Sequence, residues 1–175
     1  MKHVIVYFHG YGSGAKTEKV AMLREAFPAA DVRAWDIDID PRVAELSLNE
    51  EIVKTLVEYG EEEVRLIFIG TSLGAWWAQR LGKQFHQAAT ILFNPSVNPA
   101  VTLGRYGVPD EICSMYEHLE YSQTDVVYFD PHDPVLDHRY TMENARRWAT
   151  IPRTGHRVDP DTFVSCVARE LKFID

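Results

Sequence analysis

The sequence predicts a three-layer α/β/α sandwich built on a mostly parallel six-stranded sheet. Short runs of β-branched and apolar residues recur along the chain and read as strands buried on both faces. Amphipathic stretches with helix-capping residues separate them, and this alternation is the pattern of a parallel sheet covered by helices on both sides. The third observation is the stretch Val64 to Gly74, a buried strand that ends in Gly70-Thr71-Ser72-Leu73-Gly74 and runs into the helix sequence Ala75 to Leu81. Strand, tight turn and helix is the context of a nucleophile elbow. Such a turn lifts the Ser72 hydroxyl clear of the sheet, leaves no room for side chains at Gly70 and Gly74, and aims free helix N–H groups at negative charge forming there. The competing reading is a glycine-rich turn that only closes a βα unit.

Taken in order, Val4 to Phe8 is the first strand, and it leads into His9-Gly10-Tyr11-Gly12-Ser13-Gly14, a loop able to turn tightly and expose backbone N–H groups. Thr17 caps a helix through about Phe27, with Val20, Leu23 and Phe27 on one face and Pro28 ending it. Asp31 to Ile37 reads as the second strand. The run Asp36-Ile37-Asp38-Ile39-Asp40 has the start of a calcium loop but lacks its glycine and closing glutamate. Pro41 to Tyr59 is an amphipathic helix with Val43, Leu46, Ile52, Leu56 and Tyr59 inward and Gly60 after it. The central strand and elbow helix follow, to about His86, and then the fourth strand, Ala89 to Phe93, stopped by Asn94-Pro95. No strand pattern appears in the next stretch, where Pro109 to Leu119 is a candidate short helix. Asp125 to Phe129 is strand five, His138 to Arg146 a helix, and Trp148 to Ile151 strand six. Asp159 caps the last helix, Pro160 takes its first position, and Phe163, Val164, Val167, Leu171 and Ile174 face the core.

With 175 residues, 46% of them hydrophobic, one domain over 1–175 is the natural expectation. A net charge of −8 with no basic cluster beyond Arg146-Arg147 argues against a nucleic-acid partner. The opening apolar run is too short for a signal peptide or a membrane span. Cys113 and Cys166 form no metal spacing and no CxxC, so the expectation is a cytoplasmic protein with reduced thiols.

In parallel sheets the site lies beyond the carboxyl ends of the strands, beside the point where strand order reverses. Ser72, Asp133 and His156 each follow a strand and come in the order Ser, Asp, His of hydrolases with a nucleophile elbow. A serine needs a base to take its proton, and the imidazole needs a carboxylate to orient it. His156 follows a glycine in the last strand-to-helix loop, whereas His132 and His138 come too early in the chain and His9 is placed to shape the first loop. For the acid, Asp130, Asp133 and Asp137 compete: Asp130 is placed to cap the turn at the strand end, Asp137 to cap the following helix. The backbone N–H groups of Tyr11 and Leu73 are the expected oxyanion donors. Candidate substrate-wall residues are Tyr11, Trp76, Met115 and Tyr116, the last two in a candidate lid segment at 101–123 that reads equally well as plain packing.

Several segments resemble those of small single-domain bacterial esterases of the α/β-hydrolase superfamily, the YqiA/YcfP type. Tyr7-Phe8-His9-Gly10-Tyr11 is similar to that group's opening. Gly70 to Gly74 followed by Trp76-Trp77 is similar to its elbow, and Asn94-Pro95-Ser96-Val97-Asn98-Pro99 to its Asn-Pro segment. Asp133-Pro134-Val135-Leu136-Asp137 resembles its acid loop, and Gly155-His156-Arg157 stands where its base histidine lies. Ala75 and Val158 depart from the pattern, where a second glycine and an aromatic are usual. The resemblance implies a minimal α/β-hydrolase without a large cap domain. It implies hydrolysis of a small-molecule carboxylic ester or thioester through an acyl-enzyme on Ser72, with Asp133 as the acid and no cofactor or metal. A thioesterase acting on an acyl carrier and a non-catalytic binding module of the same fold are the alternatives. Oligomeric state and substrate are not legible.

Overall fold

A computed structural model of the chain describes residues 1–174. Six strands, β1 (Lys2–Phe8), β2 (Asp31–Arg33), β3 (Val64–Thr71), β4 (Ala89–Phe93), β5 (Val126–Phe129) and β6 (Arg147–Thr150), form one sheet in the order β2-β1-β3-β4-β5-β6. Every pairing is parallel, so the sheet is wholly rather than mostly so. The order reverses between β1 and β3, and the loops after these two strands carry Gly10–Gly14 and Ser72. The helices are α1 (Glu18–Ala26), α2 (Pro41–Tyr59), α3 (Leu73–Gln84), α4 (Pro99–Arg105), α5 (Asp110–Cys113), α6 (Arg139–Asn144) and α7 (Pro160–Leu171).

Because both sheet faces are covered, successive residues of β1 feed opposite cores. Ile5 and Tyr7 pack with Val20 and Leu23 of α1 and Phe163 and Val167 of α7. Val4, Val6 and Phe8 pack with Leu48 and Ile52 of α2, Trp77 and Leu81 of α3, and Leu103 of α4. The expected caps form, Thr17 and Asp159 accepting the N–H of Val20 and Thr162 at 3.4 and 3.0 Å, and Asp40 caps α2 as well, accepting the Arg42 N–H at 2.9 Å. The acidic run before α2 is engaged by backbone: Asp36 accepts the Ala15 N–H at 2.8 Å and Asp38 the Asp40 N–H at 2.8 Å. Among the described residues no helix is long and apolar enough to cross a membrane.

Three expectations are corrected. The bounds of α2 hold, but its buried face is Ala44, Leu48, Ile52 and Thr55, while Val43 and Leu46 are exposed. Apolar residues stand on more than one face of this helix, and Thr55 can be buried because its hydroxyl donates to Glu51 and accepts from Arg33. β2 ends at Arg33, paired with Val6, because the Ile37 N–H turns away to His9 Nε2 at 3.0 Å. The helix expected over 109–119 is the single turn α5. The chain then folds back so that the Leu119 N–H meets the Val97 carbonyl at 2.7 Å, and the helix that was missed, α4, opens on Pro99.

Candidate active site

The elbow is made by two close approaches of backbone. A Cβ at Gly70 would stand 2.2 Å from the Gly74 carbonyl oxygen, and one at Gly74 would stand 2.0 Å from that of Phe8. Only glycine permits β1, β3 and α3 to meet this tightly. Between the two glycines Ser72 is forced to φ 55°, ψ −119°, a strained conformation for a residue with a side chain. Hydrogen bonds hold it there from both sides: its N–H donates to Phe93 at 3.0 Å, and its carbonyl accepts from Ser96 and Ala75 at 3.1 Å each.

From that turn the Ser72 hydroxyl reaches His156. Nε2 of the imidazole lies 3.1 Å from Ser72 Oγ, and Nδ1 lies 2.8 Å from Asp133 Oδ2. The Asp133 side chain is fully buried, and its other oxygen accepts the N–H groups of Val135 and Leu136 at 2.8 and 3.2 Å. Burial acts to raise the Asp133 pKa, but hydrogen bonds from His138, His156 and Val135 outweigh it and hold the carboxyl well below the usual carboxylate range. The rival acids are occupied elsewhere. Asp130 accepts the N–H of His132 at 2.9 Å and of Gly155 at 2.7 Å, and Asp137 pairs with Arg139 at the surface.

Two residues whose roles the sequence did not reveal complete the frame. Asn94, itself at φ 41°, donates to the carbonyls of Gly155 and His156 at 3.0 and 2.9 Å and accepts the Asp130 N–H at 2.8 Å. With Asp130 it ties β4 and β5 to the histidine loop. His138, set aside as too early to be the base, donates from Nε2 to the same Asp133 Oδ2 at 3.0 Å. The signal available for Asn94 was its place beside proline at a strand end; for His138 there was none.

A cavity of about 660 Å³ opens beside Ser72 and is bordered by Tyr11, Leu73, Leu103, Tyr106 and His156. The N–H groups of Tyr11 and Leu73 take part in none of the turn and loop hydrogen bonds of the described residues, and Leu73 begins α3, where helix N–H groups have no partner one turn back. The Tyr11 ring packs 5.8 Å from that of Tyr106. Trp76, Met115 and Tyr116 do not border this cavity. Trp76 and Tyr116 are core residues, their rings 5.0 Å apart, with Trp76 Nε1 donating to Glu117 and the Tyr116 hydroxyl to Ile39. Of the 101–123 segment, Leu103 and Tyr106 reach the cavity, while Val108, Cys113, Tyr116 and Leu119 are packed in the core.

A parallel sheet in this order, with an elbow after β3, defines the chain as a small protein of the α/β-hydrolase fold. The family model described as "Uncharacterised protein family (UPF0227)" matches residues 4–157, and the chain belongs to that family. A UPF0227 protein of Shewanella sp. strain MR-4 is 26% identical over 156 residues, 85% of this chain and 86% of its own. Among solved structures, an alpha/beta-superfamily protein from Xanthomonas campestris superposes with a TM-score of 0.71 at 18% identity, covering 98% of this chain and 99% of that one. The Pyrococcus furiosus esterase Pf2001 gives 0.69 at 18% identity, covering 98% and 81%.

Proposed function

We propose that the protein is a serine hydrolase of acyl esters or thioesters. His156 takes the Ser72 proton as Oγ attacks the carbonyl carbon, and Asp133 holds the imidazole with Nδ1–H toward it and stabilises the imidazolium. The N–H groups of Leu73 and Tyr11 receive the oxyanion, and losing one such donor typically costs about 3–4 kcal/mol in the transition state. His156 then protonates the leaving group. A water activated by the same imidazole cleaves the acyl-enzyme.

The observation that carries this reading is the continuous contact from Ser72 Oγ through both ring nitrogens of His156 to a buried carboxylate. A binding role needs none of the three. The Pyrococcus furiosus neighbour is an esterase, which supports the same class of reaction. The test is intact mass after exposure to a fluorophosphonate probe. A single phosphonyl adduct on the parent and none on Ser72→Ala is expected; a folded parent that takes no adduct would favour the binding module instead.

A further inference from the structure

The two sides of the cavity beside Ser72 differ in chemistry. On the side of α4 it is bordered by Leu103, Tyr106 and Tyr11. On the side of α1 and α7 it carries Ser13, Thr17, Lys19 and Arg157. This chain has 26 Asp and Glu against 18 Lys and Arg, yet the cavity has two cations and only Glu18 as an acid. Among the described residues neither Lys19 nor Arg157 has a carboxylate at ion-pair distance, although six other Lys or Arg side chains (Arg33, Arg42, Lys54, Arg80, Arg139 and Arg147) do at 3.3 Å or less. Lys19 is half-buried, its ammonium 5.6 Å from the centre of the Phe163 ring. Burial lowers its pKa, Arg157 acts in the same direction, and Glu18 and Asp159 act against them.

We propose that Lys19 and Arg157 seat an anionic group of the substrate, so that the preferred substrates are esters carrying a carboxylate at the end directed toward α1. This rests on Ser72 being the nucleophile. Two matched pairs of esters test it. In one the charge is on the acyl side (mono-para-nitrophenyl adipate against para-nitrophenyl hexanoate); in the other it is on the leaving group (para-acetoxybenzoate against its methyl ester). The expected result is a preference for the anionic member of one pair by about tenfold in kcat/KM, the scale of one charge-assisted hydrogen bond. The ratio should fall to near one in Lys19→Met/Arg157→Met. Equal rates within both pairs, or a preference that survives the double variant, overturns the proposal while fluorophosphonate labelling of Ser72 still stands. Loss of labelling in the parent would overturn both.

A separate observation concerns His138. Its side chain is 2% exposed and that of Asp133 is fully buried, with Nε2 at 3.0 Å from the same Oδ2 that His156 contacts. Its Nδ1 is buried without a hydrogen-bond partner, and its ring lies 5.0 Å from that of Phe129. An unpartnered lone pair is less costly to bury than an unpartnered charged N–H, so the neutral Nε2–H tautomer fits, with Nε2–H donating to Asp133. Asp133 then accepts four hydrogen bonds, and two imidazoles share one oxygen. The other charged groups nearby are Asp130 and Asp137 on the same loop, Arg139 on α6, Arg105 on α4, Arg157 beside His156, and Glu18 and Lys19 on α1. None of them hydrogen-bonds either Asp133 oxygen.

We infer that His138 is a positioning residue: it fixes the Asp133 carboxylate and withdraws part of its charge from His156. His138→Phe removes the donor, and His138→Gln keeps an N–H near the same place. In the Phe variant kcat should fall by about tenfold with KM little changed, because Asp133 loses the bond that fixes it toward His156. The Gln variant should resemble the parent. An unchanged kcat in both variants, or equal losses in both, would reduce His138 to packing. Should the Phe variant not fold, the histidine ¹⁵N shifts of the parent decide: a neutral Nε2–H tautomer at His138 is expected, and Nδ1–H would overturn the inference.

Discussion

The backbone of Gly74 lies against the carbonyl of Phe8 so closely that a Cβ there would be 2.0 Å from the oxygen. The end of β1 and the first turn of α3 are thereby fixed to each other, and the loop bearing Tyr11 is brought beside Ser72. Gly74→Ala should destabilise the protein by about 3 kcal/mol or more, since the obstacle is backbone and cannot rotate away. Gly104→Ala in α4, where nothing lies within 4 Å, should be neutral or stabilising by under about 1 kcal/mol. Urea denaturation of the two variants checks both.

The proposed division of labour among the acids predicts unequal effects on rate. Asp133→Asn keeps the shape but presents an amide to His156 and should lower kcat by about 10³–10⁴-fold. Asp137→Asn touches only the surface pair with Arg139 and should leave kcat near the parent value. Steady-state rates on a para-nitrophenyl ester decide, and the reverse order would reassign the acid.

Asn94 joins three segments through one side chain. Asn94→Ala leaves two carbonyls of the histidine loop and the Asp130 N–H without this partner. A displaced His156 is expected to cost about ten- to a hundredfold in kcat, with a smaller change in KM. The melting temperature should fall as well, which differential scanning calorimetry would record.

Stability should fall at both ends of the pH scale. Asp133 has a folded pKa below its unfolded value, so its contribution is present above the ordinary carboxylate range and is lost as pH falls below about 4. Tyr7 has the opposite sign: burial outweighs its hydrogen bond with Thr71 and pushes the phenol up to about 12. Its contribution is complete below about pH 10, where an unfolded phenol ionises, and is lost as pH rises through 12. Acid and alkaline unfolding followed by circular dichroism, with tyrosinate absorbance on the alkaline side, should show both limbs. Asp133→Asn should flatten the first and Tyr7→Phe the second.

Strands, caps and the elbow were legible because each is local. β4 and the bounds of α2 could be read to the residue, and Thr17 and Asp159 cap as their positions imply. The meeting of Ser72, Asp133 and His156 was legible because each follows a strand and a parallel sheet gathers such loops on one rim. What failed depended on partners distant in the chain. Val43 and Leu46 look as fit for burial as Leu48, and only the packing of α2 on the sheet separates them. Trp76 and Tyr116 fit a substrate wall by type, yet their polar atoms bond to backbone inside the core. His138 lies five residues beyond Asp133, but nothing local indicates that it turns back onto that carboxylate.

The sheet order also constrains how the chain is born. β1 is synthesised first, yet its long partner is β3, with Lys2 beside Val64 and Phe8 beside Gly70; its other neighbour, β2, offers only three residues. Until the chain has emerged through Thr71, Val4 to Phe8, among the most deeply buried residues of the fold, lacks its long partner strand. Such non-local pairing slows folding and leaves an apolar strand open to wrong partners. A nascent chain stalled before β3 is therefore a natural client for a chaperone, and the elbow can take shape only after the sheet beneath it has closed.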